Sequence, residues 1–157
     1  MKALRNAFGQ FATGVCVVTA VNSSGKPVGV TINSFSSVSL DPPLALWSIQ
    51  NNSDMFQYWC NTERYAINIL SEDQADLSGQ CAKPGDHLLS EGQSFQSASG
   101  IPLLNSAVAT FEMKLVQVVP AGDHHILIGE ITEYINNEDI APLVFHKGQY
   151  RALASTL

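Results

Sequence analysis

Charge is scarce in this sequence: 14% of its 157 residues are Asp, Glu, Lys or Arg, and only eight are basic. Those eight are scattered from Lys2 to Arg151 and the net charge is −6, so no cluster could neutralise a phosphate backbone and nucleic acid is excluded as a partner. No run of about eighteen apolar residues exists, which excludes a membrane-spanning helix. The start carries a helical pattern rather than a signal peptide, so the expected compartment is the cytoplasm. The three cysteines, Cys16, Cys60 and Cys81, are odd in number and lack Cys-x-x-Cys spacing. That argues against a disulfide framework and a zinc site and makes them small core residues. Of the four histidines, His124 and His125 are adjacent, and strand neighbours point to opposite faces, so at most one serves any single site and no metal is expected. Gly-x-Gly-x-x-Gly, the Walker lysine motif, Gly-x-Ser-x-Gly and His-Glu-x-x-His are all absent. Nucleotide-kinase and hydrolase chemistry thereby lose their usual signatures. A paired-carboxylate hydrolase is left open by Glu112, Asp123 and Glu130, all on or beside one hairpin.

What is present is apolar material, 45% of the chain, enough for one folded domain over residues 1–157. Leu4, Ala7, Phe8 and Phe11 fall at helical spacing, predicting a helix over 2–11 that lies across one end of a sheet. Strands are predicted over 15–21, 28–32, 44–49, 65–70, 107–119, 125–134 and 143–146, the first two joined by the turn formers of 22–27. Ser53 reads as the cap of a short helix over 54–61, and Ser71-x-x-Gln74 as a capping box opening a helix to about residue 80. Residues 81–104 show no periodicity and read as a long loop, a candidate lid. No helix alternates regularly with the strands, so the sheet should be mainly antiparallel and barrel-like.

Two stretches could carry chemistry. In Gly29 to Leu44 an apolar strand runs into Asn33, Ser34, Ser36, Ser37 and Ser39 before Pro42-Pro43 stops it. On its own it reads as a Ser-rich connection satisfying its own backbone, with a polar ligand wall as the alternative. Asp123-His124 places a carboxylate beside an imidazole in a tight turn, which either orients a reactive ring or is ordinary turn chemistry next to an exposed strand residue.

Taken together, Phe8-x-x-Phe11-Ala12-Thr13-Gly14-Val15, the stretch from Gly29 to Leu44, Ala121-Gly122-Asp123-His124-x-Ile126-x-Ile128-Gly129 and Gly148-x-Tyr150-Arg151 resemble, in order, the short-chain flavin reductase family. The resemblance spans nearly the whole chain. It implies a mainly β fold, an antiparallel Greek-key split β-barrel with a few short flanking helices, assembled as a homodimer. It also implies FMN or FAD as cofactor, NADH or NADPH as reductant, and a monooxygenase that receives the reduced flavin. Position by position, Thr31, Ile32, Asn33 and Ser34 would line the flavin ring and ribityl chain beside Ser48, Ile49 and Gln50, with Ser53 near the phosphate. Cys81, Ala82 and Lys83 fall where the family wall leads into a variable loop, and Lys83 to His87 would reach the far end of the flavin. His124 and Tyr150 match the pair on the nicotinamide side. Two departures stand out: Ile32 replaces the usual alanine and Cys81 the usual phenylalanine. Two rival functions share the fold, a flavin-binding protein without turnover and a flavoprotein that reduces a protein or metal acceptor.

Overall fold

The computed structural model describes residues 1–157. Its centre is a seven-stranded sheet built from β2 (Cys16–Val21), β3 (Pro27–Ile32), β4 (Ser36–Leu40), β5 (Pro43–Gln50), β6 (Arg64–Ile69), β9 (Ala109–Ala121) and β10 (His124–Asn136). The spatial order is β3-β2-β6-β9-β10-β5-β4, with every neighbouring pair antiparallel. The edge strands β3 and β4 are nevertheless consecutive in the chain, joined only by Asn33-Ser34-Phe35. A flat sheet would hold its edges roughly 29 Å apart at about 4.8 Å per strand spacing, whereas the linker reaches about 15 Å at most. The sheet must therefore curl until its edges nearly meet, giving the antiparallel split barrel. Ser34 sits at the split, where its hydroxyl accepts from the Ser48 N–H at 2.9 Å and donates to the Ser48 carbonyl at 3.2 Å.

Aromatic and aliphatic side chains fill the curl. Trp47, Trp59, Tyr65, Ile67, Met113 and Leu127 are fully buried, with Trp47 and Trp59 edge to face at 5.6 Å. Trp59 comes from α2 (Phe56–Asn61), which packs its one buried residue into that core. The outer face of β2, β6 and β9 is covered by the hairpin of β7 (Ser94–Gln96) and β8 (Pro102–Leu104). Buried Thr19, Asn68 and Thr110 on that face are hydrogen-bonded to one another or to the hairpin backbone. A small sheet of β1 (Thr13–Gly14), β11 (Val144–His146) and β12 (Gln149–Arg151) closes the chain. No helix of the structure is long and apolar enough to cross a membrane.

Four local expectations are corrected. The N-terminal helix, α1, spans only Lys2–Phe8 and buries no residue, so its apolar stripe lies on the surface. Residues 36–40 form an edge strand, not a loop; all five are exposed or half-buried, so no alternation marked them. The helix expected from Asp54 begins at Phe56, because Asp54 binds a distant loop instead of entering the first turn. Residues 81–104 are no free lid: α3 (Ala75–Ala82) runs into them, β7 and β8 pair there, and Leu89, Ile101, Leu103 and Leu104 are buried. The capping box is present, with the Gln74 side chain accepting from the Ser71 N–H across a 3₁₀ turn that leads into α3.

Burial also fixes the chain's response to alkali. It pushes the Cys16 thiol and the Tyr65 phenol up to about 12, and the Cys81 thiol up to about 11, from ordinary values of 9.0 for the thiols and 10.0 for the phenol. The folded state holds these protons while the unfolded chain releases them, so their stabilisation is complete below about pH 9 and is lost as pH rises toward about 12. Thermal unfolding should show Tm falling across that window, with a shallower fall in Cys16→Ala; identical slopes for the two proteins would contradict the assignment.

Candidate functional site

A cleft of about 570 Å³ opens at the split of the barrel. Its origin lies in how β3 uses its outer edge. The loop after α3 pairs with that edge irregularly, the Gly29 N–H donating to the His87 carbonyl and the Leu89 N–H to the Pro27 carbonyl. A side chain at Gly29 could not accommodate this: a Cβ there would lie 2.9 Å from Val17 and 3.1 Å from Leu89. Beyond Gly29 the loop departs. Pairs alternate along an antiparallel ladder, so Thr31, two residues on, also turns its N–H and C=O away from β2, toward the open edge.

The walls come from three segments: Val30 to Ser34 at the end of β3, Ser48 to Asp54 at the end of β5, and Ala82 to His87 after α3. His124 enters from the β9–β10 turn, where it is paired with Gln50. Gly122 takes φ +65°, which permits a two-residue turn, and Asn51 clasps that turn through its N–H to Asp123 and its amide to Gly122. His125 points to the other face, Nδ1 2.7 Å from Asn51 Oδ1 and the ring against Phe56.

Thr31, Ile32, Asn33, Ser34, Ser48, Ile49, Gln50, Ser53, Ala82 and His124 all line this cleft. Tyr150 lines a neighbouring hollow of about 210 Å³, which shares Thr31, Ile32, Asn33 and Ala82 with the cleft and adds Val15, Ser78 and Phe145. Ile32 thus stands on the border between the two. Cys81 and Lys83 do not line either space. Cys81 is 3% exposed in the core with Val15, Val17 and Leu70, and Lys83 is the exposed residue that ends α3. Val30, Asn52 and Asp54 line the cleft without a sequence signal that marked them. Glu112, Asp123 and Glu130 do not converge: Glu112 is buried on the outer face under Ser97 Oγ at 2.6 Å, and Glu130 is exposed opposite Lys114. Asp54 is the one carboxylate in the lining of the cleft, so the cleft itself holds no carboxylate pair.

The hydrogen bonds determine what each group can offer a ligand. Thr31 Oγ1 donates to the Ser78 carbonyl at 2.7 Å, and Ser34 Oγ donates to the Ser48 carbonyl. Both hydroxyl hydrogens are thereby committed, leaving oxygen lone pairs as acceptors. Donors open to a ligand are instead the Thr31 N–H, side-chain amides such as Asn33, Gln50 and Asn52, and the hydroxyls of Ser48 and Ser53. His124 Nδ1 lies 2.6 Å from Asp123 Oδ1, and that bond holds the Asp123 carboxyl below its usual range. An ionised carboxylate only accepts, so Nδ1 carries the hydrogen and the lone pair of the neutral ring is on Nε2. At the opposite end Asp54 accepts from the Gly85 N–H and from His87 Nε2, each at 2.9 Å, which lowers its pKa and ties the α3 loop to the β5 wall.

Comparison with known proteins places this architecture. Residues 8–154 match the family model of the flavin reductase like domain. The reductase component of the flavin-dependent trigonelline monooxygenase of Acinetobacter baylyi is 42% identical over 150 residues, 96% of this chain and 48% of that protein. The chain thus spans about half the length of the first curated relatives it matches. The FMN reductase (NADH) SmoA of Agrobacterium fabrum is 38% identical over 155 residues, 95% of this chain and 84% of that protein. The solved structure of the Streptomyces globisporus NADH:FAD oxidoreductase SgcE6, in complex with NAD and FAD fragments, superposes with a TM-score of 0.90 at 32% identity, covering 96% of this chain and 91% of the other.

Proposed function

The chain belongs to the flavin reductase like domain family, and from that premise we propose that it is an NAD(P)H:flavin oxidoreductase whose flavin site is the cleft at the barrel split. The observation that carries this is the cleft's division of labour. Val30, Ile32, Ile49 and Ala82 supply apolar surface for a planar ring, while Asn33, Ser48, Gln50, Asn52 and Ser53 supply polar partners for a ribityl phosphate. When bound, flavin supplies the acceptor for the hydride of the reduced nicotinamide, which leaves oxidised while one solvent proton completes the reduced ring.

The chain's own part is placement. The Thr31 N–H at the open strand edge is oriented to stabilise negative charge on the reduced ring, and the committed Thr31 and Ser34 oxygens accept. Ile32 limits how far a ring can slide toward the neighbouring hollow. His124 in the lining of the cleft and Tyr150 in that of the hollow are the groups we assign to the nicotinamide side, and Ser53 in the cleft lining to the phosphate end. The lining holds Asp54, His87 and His124 but no Lys or Arg, so its part is placement and not a fixed positive charge.

Relatives named for FMN with NADH and for FAD with NADH support both flavins and favour NADH as reductant. A relative that is a monooxygenase reductase component supports a monooxygenase as recipient of the reduced flavin. Leu4, Phe8 and Phe11 at the N-terminus and Val38 and Leu40 on the edge strand β4 are each exposed, and burial of such apolar side chains would favour a homodimer. Three free thiols suit a cytoplasmic setting. Mixing the purified protein with NADH or NADPH and either FMN or FAD should give steady oxidation of the nicotinamide, fastest with NADH. Tight yellow protein with no turnover in any of the four mixtures would instead identify a flavin-binding protein.

A further inference from the structure

Ser78 belongs to no motif singled out in the sequence, yet two walls of the hollow beside the cleft depend on it. It lies in α3, fully buried, and it meets segments from opposite parts of the chain. Its Oγ is 2.7 Å from the Tyr150 hydroxyl of β12, and its carbonyl accepts from Thr31 Oγ1 of β3, also at 2.7 Å. The sheet that carries Tyr150 is anchored at one end: buried Leu143, just before β11, donates its N–H to the Leu70 carbonyl, the Glu72 N–H donates to the Ala141 carbonyl, and Phe145 packs on the core. Toward Tyr150 the ties thin out, since β12 pairs only with β11 and β11 pairs otherwise with the two residues of β1. The Lys147 N–H to Gly9 carbonyl bond adds one more tie at the hairpin turn. Tyr150 itself is 43% exposed, so packing alone does not fix its ring, although Phe145 lies against it at 5.7 Å. A buried serine hydroxyl needs a partner, and Tyr150 is the partner this one has.

We propose that Ser78 is a positioning residue: through its hydroxyl it sets Tyr150, and through its carbonyl it sets Thr31, on either side of the hollow where the nicotinamide approaches the flavin. This rests on the reductase function proposed above. Ser78 lines the hollow, but its hydroxyl is committed to Tyr150, and in this role it acts through that residue. Replacing Ser78 by Ala removes only the hydroxyl, keeps the carbonyl bond to Thr31, and favours the helix.

The test is a double-mutant cycle of Ser78→Ala and Tyr150→Phe. Each single variant should raise KM for NADH about fivefold, the equivalent of one ordinary hydrogen bond, while the FMN dissociation constant moves less than about twofold. In the Tyr150→Phe background, Ser78→Ala should add nothing, because the link is already cut. Hydrogen exchange of the 144–151 segment should quicken to the same extent in both single variants and the double variant, a readout independent of turnover. Additive effects on KM, or exchange at 144–151 unchanged by Ser78→Ala, would overturn the proposal. So would faster exchange with KM unaltered, since Tyr150 placement would then be irrelevant to the reductant. A wild-type protein that oxidises no NADH with FMN or FAD would instead sink the reductase function, with the exchange result still reporting whether Ser78 holds the hairpin.

Discussion

Asn68→Ala should cost this protein about 3 kcal/mol of stability, a loss of the size expected when a large buried aliphatic side chain is truncated. Asn68 is fully buried on β6 and spends its whole amide. Nδ2 donates to the Val17 carbonyl at 2.9 Å and to Thr19 Oγ1 at 3.0 Å, and Oδ1 accepts from the Leu104 N–H at 2.9 Å and Thr110 Oγ1 at 3.2 Å. Truncation strands the Leu104 N–H under the β7–β8 hairpin, deprives three further groups of a partner and leaves a void where the amide was. An unsatisfied buried donor costs about 1–3 kcal/mol, and the void adds to it. For a chain of this size that corresponds to a drop in Tm of roughly 6–12 °C. Thermal and urea unfolding monitored together would measure it. A loss under about 1 kcal/mol would mean that water replaces the amide and that the hairpin is not anchored through Asn68.

His124→Ala should have the largest effect on turnover, slowing reduction by NADH about tenfold or more while changing flavin affinity far less. The reason is location. His124 lines the cleft as the residue that follows a two-residue turn, half-exposed, its tautomer set by Asp123 and its backbone registered against Gln50 of the wall. In the reductase proposed above, a half-exposed group there would meet the reductant as it approaches the flavin. Asp123→Asn should reproduce part of the loss, because the amide no longer dictates which nitrogen carries the hydrogen. The Asp123 carboxyl is held low by its bond from His124, so the pair persists above the usual carboxylate range and breaks only as pH falls through the lowered value. Stopped-flow reduction of the flavin-loaded protein separates the terms. Equal reductive rates in His124→Ala and wild type would remove His124 from the reaction.

The stretch from Gly29 to Leu44 shows how far local sequence carries. Alternation placed β3 correctly, and the polar run that begins at Asn33 and Ser34 was recognisable. What it faces was not, because the chain alone does not reveal that the two edges of one sheet meet at Asn33-Ser34-Phe35. The resemblance assigns Thr31 and Ser34 to the flavin wall, yet their hydroxyl hydrogens are spent on the Ser78 and Ser48 carbonyls, 47 and 14 residues away. Asp54 looked like a helix-start carboxylate and is instead the clasp of the α3 loop, through partners 31 and 33 residues distant. Cys81 matched a wall position and lies in the core, because the wall there is formed by its neighbour Ala82.

By itself the sequence determined the mainly β, antiparallel character, which follows from periodicity and turn residues, while the family and most of the residues around the cleft are what the resemblance carried by four ordered motifs implies. Only the tertiary structure decided which of those residues face one another, which hydroxyl hydrogens remain free, and that Ser78 joins Thr31 to Tyr150. Those properties depend on closing the sheet on itself and on contacts between segments dozens of residues apart, and hydrogen-bond partners at that range leave no trace in local pattern.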